Sequence, residues 1–375
     1  MIQSTQSTRE IVSRELDRPS VEAAEPTSLG ARLRRAVESA QAALLAQTNP
    51  DGHWCGELEG DTILESEYAL VLHFLDRGDD PRITALAATL RQKQLPTGGW
   101  SLYPEGPADV SASVKAYLVL KLAGDDPERP HMARARRKIL ELGGVDACNS
   151  FTKIYLAICG QWPWSSCPAV VPEMILLPTW LYFNVYAMSS WSRAIVVPLS
   201  IVWAHRPCYP LPERAHVPEL RLPAGERPEP HATMEGKHPF WSRFFELVNW
   251  GLRGADRLGL LAPWRQTALR RAERWILERL EQSDGLAAIF PPIVNTLVAF
   301  RCLGYPLDHP TLLAQTRELE KLEIAAGETL RLQPCKSPVW DTALSLSALL
   351  GSGLAPRPPG DPRRGALAAR QGSSP

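Results

Sequence analysis

The chain carries no excess charge of either sign: 41 lysines and arginines stand against 41 aspartates and glutamates in 375 residues. Binding to a nucleic-acid backbone requires a net basic surface, so this balance argues against a nucleic-acid partner. No run of about 18 uninterrupted apolar residues occurs, which argues against a membrane-spanning helix. Cysteine is sparse and scattered, at positions 55, 148, 159, 167, 208, 302 and 335, with no CxxC pair and no cysteine–histidine cluster at zinc spacing. The sequence therefore gives no metal site. The odd number of cysteines, and a polar first 30 residues without the apolar core of a secretory signal, lead to an expectation of reduced thiols in a cytoplasmic setting. No stretch alternates cleanly enough to predict a large sheet.

Apolar residues at spacings of three and four are abundant, and so are breakers. The pattern predicts helices from Ala31 to Leu45, Glu65 to Leu75, Ile83 to Leu90, Val110 to Leu122, Met132 to Leu142 and Phe151 to Ile158. It continues at Thr267 to Leu280, Ile293 to Leu303 and Asp341 to Leu350, with Gly/Pro turns between successive helices. A phrase recurs within this series. Gln47-Thr48-Asn49-Pro50-Asp51-Gly52-His53-Trp54 and Gln94-Leu95-Pro96-Thr97-Gly98-Gly99-Trp100 end on tryptophans 46 residues apart (100 minus 54), and Leu280 to Leu286 reads as a worn third copy. A period in this range indicates stacked helical hairpins, each burying its apolar face against its neighbours. The residue types suit a clamp. The amides of Gln47 and Gln94 can bond groups left open at helix ends, Trp54 and Trp100 can stack, and Gly52 and Gly99 allow a tight turn.

Two apolar segments raise the question of a membrane. Met174 to Ile201 is dense in apolar residues but broken by Asn184, Ser189, Ser190 and Arg193. Phe240, Trp241, Phe244, Phe245, Val248 and Leu252 have the spacing of an amphipathic helix, which suits either an interfacial helix or one packed on the body. Between them, residues 206–239 form a proline-rich connection, and residues 1–30 and 355–375 read as loose tails.

The recurring phrases resemble the QW motif of the triterpene cyclases, and other phrases agree in the right order. Glu65-Ser66-Glu67-Tyr68 is similar to that family's Glu-x-Glu-Tyr, and Trp100-Ser101-Leu102-Tyr103-Pro104 to its Trp-x-Leu-Tyr-Pro. Val171-Pro172-Glu173, Ser190-Trp191-Ser192-Arg193-Ala194, Pro210 to Arg214 and Ile289-Phe290-Pro291 follow. Ser337-Pro338-Val339-Trp340-Asp341-Thr342 is the most specific. The resemblance, to the N-terminal half of a squalene–hopene cyclase, runs from about residue 31 to 354.

It implies an all-α chain of the α/α-barrel (toroid) type. Residues 31–335 would form the first barrel and 336–354 the first helix of a second, catalytic barrel. It also implies proton-started cyclisation of squalene, an isomerase reaction of hopanoid synthesis that needs no cofactor and no metal. The family's Asp-x-Asp-Asp general acid does not occur in this sequence, so the expectation is a shortened form, inactive alone. By resemblance, Trp191, Trp340, Glu67, Phe290 and Pro291 belong to the substrate cavity, and Phe240, Trp241, Phe244 and Phe245 face the membrane. The chain departs from the family where Lys115 replaces a glutamate, Asn149 an arginine and Phe290 a glutamine. The implied partners are squalene or a similar polyprenyl lipid, the cytoplasmic surface of a bacterial inner membrane, and a separate C-terminal cyclase half or a second copy. The alternative is a non-catalytic lipid-binding or partner module. A protein-prenyltransferase-like barrel would need a zinc site, which the sequence does not assemble.

Overall fold

The structure is a computed structural model that describes residues 28–222, 239–281 and 283–354, without the side chains of 239, 241 and 242. The side chains of Trp241 and Gln282 lie outside the described residues. The chain is all-α, as expected, and divides into two compact units. One comprises Leu58–Cys335. The other joins the segment ending at Glu57 to the segment beginning at Lys336.

The larger unit alternates two kinds of helix. α2 (Thr62–Phe74), α4 (Val110–Leu122) and α10 (Phe290–Cys302) bury 11, 12 and 10 of their 13 residues. α3 (Pro81–Gln92), α5 (Pro130–Glu141) and α11 (Pro310–Glu320) bury only 5 of 12, 3 of 12 and 3 of 11. A helix apolar all round must be surrounded, and one with a single apolar stripe lies outside. The hairpins therefore stack as an inner and an outer layer. The starts are encoded locally: Asp61, Asp80 and Asp109 accept backbone N–H bonds at the N-caps of α2, α3 and α4, and Pro81 and Pro130 occupy first helical positions.

α6 (Ser150–Ile158) and α7 (Ser190–His205) follow, and α7 packs against α10 and against α9 (Ala262–Leu280). α7 was not distinguished in the sequence. The polar residues that break the apolar stretch are its punctuation: Ser189 caps α7 through Ser192 N at 3.1 Å, and Asn184 caps the short turn before it. A hairpin of β3 (Glu323–Ala326) and β4 (Thr329–Leu332) adds a two-stranded sheet, and β1 (Trp100–Ser101) pairs with β2 (Ala108–Asp109). Strands of two and four residues are too short to show an alternation. Asp125, which reads as a solvated turn residue, is buried against Arg91 at 2.7 Å and His131 at 2.9 Å. Burial opposes its charge, but these two partners outweigh burial and hold its carboxyl below the usual range.

In the smaller unit, α1 (Leu29–Ala46) stands with α12 (Pro338–Gly351). Gln41 Nε2 donates to the carbonyl and hydroxyl oxygens of Ser352 at 3.1 and 2.9 Å. Ser337-Pro338-Val339-Trp340-Asp341-Thr342 is tied to the first tryptophan phrase. Thr342 Oγ1 accepts from Trp54 N at 3.0 Å, and Asp341 Oδ2 accepts from Gly56 N at 2.8 Å and Ser337 Oγ at 2.9 Å.

Candidate functional site

Three consecutive inner helices of the larger unit each contribute one polar side chain to a buried cluster. Glu67 comes from α2, Lys115 from α4 and Tyr155 from α6. The Lys115 ammonium donates to Glu67 Oε1, and both side chains are almost wholly enclosed. The Lys115 Nζ also lies 5.0 Å from the Tyr155 ring centroid, a cation–π distance. Burial first, and then the charge and hydrogen bond of Glu67, push the Tyr155 hydroxyl well above the usual phenol range. The phenol therefore stays protonated and donates to a carboxylate already paired with an ammonium. Such a cluster is neutral overall, and a charge left alone in it would be strongly disfavoured.

Two residues earlier on α2, and so on another face of the helix, Glu65 is fully buried. Its Oε1 accepts from Leu332 N at 3.3 Å and lies 3.8 Å from Lys93 Nζ, while its Oε2 has no protein partner. Burial raises this carboxyl to about 7, Lys93 only partly opposing it.

The remaining cavity candidates are placed differently. Phe290 is fully buried at the start of α10, its N–H donating to Pro334 O at 2.8 Å, with Pro291 half-buried beside it. Trp191, in the first turn of α7, is half exposed. Trp340, on α12 of the smaller unit, is 71% exposed. Asn149 caps α6, accepting from Thr152 N at 2.9 Å, so it has a helix-start role where the resemblance puts an arginine.

The tryptophan phrases form matching turns. Trp54 Nε1 donates to Leu44 O at 2.7 Å and Trp100 Nε1 to Leu90 O at 2.8 Å, each to the carbonyl ten residues back. Gly52 and Gly98 both have positive φ, +93° and +100°, so Gly98 is the turn counterpart of Gly52. Gly99 is needed for space: a Cβ there would meet Ala108 Cβ at 2.6 Å. Gln94 Nε2 bridges Gly98 O at 2.8 Å and His131 O at 2.9 Å. Gln47 is the C-cap of α1, and its backbone N–H closes that helix.

α8 (Pro239–Arg257) has its amphipathic character reversed. Polar residues of its second half bind the body: Asn249 Oδ1 accepts from Ala169 N at 2.8 Å, Arg253 donates to Ser165 O, and Asp256 pairs with Arg265 at 2.8 Å and with Arg206. Its large apolar residues Phe240, Phe245, Leu247, Val248 and Trp250 are exposed. Phe244 stacks on Phe183 at 5.9 Å between centroids, extending the face to the exposed Trp180 and Tyr182. Among the described residues no helix is long and apolar enough to cross a membrane, and no group of three or more potential metal ligands occurs.

Inner and outer helical layers, tryptophan-closed turns and an outward apolar helix define a protein of the terpenoid-cyclase type. A family profile described as the squalene-hopene cyclase N-terminal domain matches residues 37–328, and the chain belongs to that family. The chain is 37% identical over 329 residues to the squalene–hopene cyclase of Zymomonas mobilis, covering 84% of this chain and 48% of that protein. It is 36% identical over 327 residues to that of Alicyclobacillus acidocaldarius, covering 86% and 49%. Against a dammaradiene synthase from Dryopteris crassirhizoma the identity is 32% over 335 residues, covering 89% and 48%. The chain thus spans about half the length of the curated relatives it matches.

Tyr155 was not singled out from the sequence, and Glu65 entered only as part of the Glu-x-Glu-Tyr phrase. Tyr155 is one aromatic among many on apolar helices, and its meeting with Glu67 depends on how α6 packs. Lys115 was visible as a departure from the family, but its pairing with Glu67 was not.

Proposed function

We propose that this chain is the N-terminal portion of a squalene–hopene-cyclase-like system of triterpenoid synthesis, in which a polyprenyl lipid such as squalene is cyclised after protonation. In this reading the larger unit sits on a lipid surface through α8 and contributes Glu67, Trp191, Phe290 and Pro291 to substrate contact. Trp340 is the contact offered by the smaller unit. The proton donor comes from polypeptide outside this sequence, since no Asp-x-Asp-Asp occurs in it. An alkene is a very weak base, so the donor must be a strong acid held away from water. The location proposed is peripheral, on the cytoplasmic side of a bacterial inner membrane.

The observation that carries the lipid reading is the reversal of α8, whose polar side chains hold the body while its aromatic residues face outward. An exposed apolar face of this kind marks an interaction surface, and a helix lying in a membrane interface buries just such a face. Squalene turnover is the test. Product should be absent with the chain alone and should appear when the C-terminal half of a relative is added. Hopene from the chain alone would overturn the proton-donor assignment.

A second reading, a non-catalytic partner module, is favoured by the smaller unit. No residue of α1 is buried, and on α12 Val339, Trp340, Leu344 and Leu350 are exposed. We propose a C-terminal cyclase half as the partner, with a second copy of this chain as the competing outcome. Sedimentation of the chain with and without the C-terminal half of a relative separates the two.

A further inference from the structure

Cys159 is the C-cap of α6 and is fully buried, whereas Cys208 lies in the segment leaving α7 and is exposed. These two stretches run side by side. Tyr209 N donates to Ile158 O at 2.7 Å, and the residues next to that bond are Cys208 on one stretch and Cys159 on the other. A disulfide spans Cα separations of roughly 4.4–6.8 Å, which requires backbone stretches held against each other as these two are. The Cys208 sulfur lies over the turn at Gly160: a Cβ on Gly160 would come 3.3 Å from it, and the φ of +72° there turns the chain beneath the sulfur. The segment is further pinned by Trp164 Nε1, which donates to Pro207 O at 3.1 Å, and by His73 Nε2, 3.3 Å from Pro210 O. Burial pushes the Cys159 thiol up, and the nearby Cys208 sulfur pushes it the same way, so the two sulfurs are within electrostatic reach. The other buried thiols have different surroundings: Cys148 and Cys167 face backbone carbonyls, at 3.9 Å from Val110 O and 3.5 Å from Lys153 O.

We propose that Cys159 and Cys208 are a dithiol pair that a hydroperoxide closes into a disulfide, stapling the end of α6 to the segment that leaves α7. The exposed Cys208 reacts first. Its thiolate attacks the terminal peroxide oxygen, the O–O bond breaks, the alkoxide (hydroxide, for hydrogen peroxide) leaves and takes up a proton, and a sulfenic acid forms. The Cys159 sulfur then attacks the Cys208 sulfur, the S–O bond breaks, and the departing hydroxide leaves as water with the Cys159 proton. Two thiols and one hydroperoxide become one disulfide, one alcohol (water, for hydrogen peroxide) and one water. Because Cys159 is buried, the second step requires the last turn of α6 to open, and the sulfenic acid builds up before the bridge.

The test is to treat the whole native chain with a small excess of hydrogen peroxide, block free thiols with N-ethylmaleimide and map the cysteines by mass spectrometry. The expected result is a linked peptide joining 159 to 208. It should be lost on dithiothreitol treatment and absent in Cys208→Ser, whose Cys159 stays reduced. A sample unfolded in urea before oxidation should give a scrambled set of links. The proposal is overturned if native chain gives that same mixture, if Cys208 advances to a sulfinic acid while Cys159 remains a thiol, or if neither residue reacts.

Discussion

The indole N–H of Trp100 donates to the carbonyl of Leu90 at 2.8 Å, closing α3 with a side chain ten residues beyond the acceptor. Trp54 makes the same bond to Leu44 at 2.7 Å, at the end of α1 in the other unit. The last carbonyls of a helix have no partner within it, and a tryptophan at this distance satisfies one while filling the space above the turn. Trp100 is fully buried, so Trp100→Phe should cost about 1–3 kcal/mol by leaving the Leu90 carbonyl without its donor. Trp100→Ala should cost about 3–5 kcal/mol. Urea unfolding followed by circular dichroism measures both, and equal losses in the two variants would contradict the role given to the indole N–H.

The buried pair of Lys115 and Glu67 gives a sharper test, because one removal should be worse than two. Lys115→Met leaves a carboxylate enclosed without its ammonium and should cost about 3–5 kcal/mol. Lys115→Met combined with Glu67→Leu removes both charges and should recover most of that loss. A double variant as unstable as the sum of the two single ones would mean the pair is not coupled.

Glu65 should make stability depend on pH in a direction unusual for a carboxyl. Its folded pKa is raised to about 7 from 4.5, so the folded chain holds a proton that the unfolded chain has released. The associated stability is full below pH 4.5 and is lost as pH rises through 7, by up to about 3 kcal/mol. Glu65→Gln keeps an acceptor for Leu332 N and cannot ionise. Its melting temperature relative to the parent should therefore rise between pH 5 and 8. A pH-independent difference would show that Glu65 is already ionised at pH 5.

Gly98 and Gly124 separate backbone strain from lack of room. Both have positive φ, +100° and +98°, but a Cβ at Gly98 would come 2.5 Å from Arg134 O, whereas at Gly124 nothing lies within 4 Å. Gly124→Ala should cost about 1–2 kcal/mol, the left-handed penalty alone. Gly98→Ala should cost clearly more, since α5 must move to accommodate it. Comparison of the two by thermal unfolding decides the matter, and equal costs would mean that the close approach is soft.

Phe245→Ser and Trp250→Ser on α8 should each lower vesicle binding about tenfold, as expected for about 1.4 kcal/mol of apolar burial per aromatic residue. Melting temperatures should stay near the parent's, because both side chains are exposed. Flotation with phosphatidylcholine–phosphatidylglycerol vesicles measures the binding. Unchanged flotation of the double variant would remove α8 as the lipid contact.

The all-α class, most of the helices and the family were legible in the amino-acid sequence. Those properties are written locally, in spacings of three and four, in aspartates ahead of helix starts and in the tryptophan phrases. Fixed spacing also marked Gly52 and Gly99, yet the register of the turn placed Gly98 in the positive-φ position and gave Gly99 a packing role. α7 was obscured because its caps read as interruptions of an apolar stretch, and the four-residue strands near 323–332 were too short for a period of two to appear. Tertiary structure alone decided the rest, because burial and partnership depend on residues distant in the chain. It turned Asp125 from a turn residue into a buried anion held by Arg91 and His131, and brought Lys115 and Tyr155 onto Glu67. In α8 the residue spacing established only the two faces of an amphipathic helix. Which face turned inward was decided by Ala169, Ser165 and Arg265, whose polar groups meet Asn249, Arg253 and Asp256 and leave the aromatic residues outside.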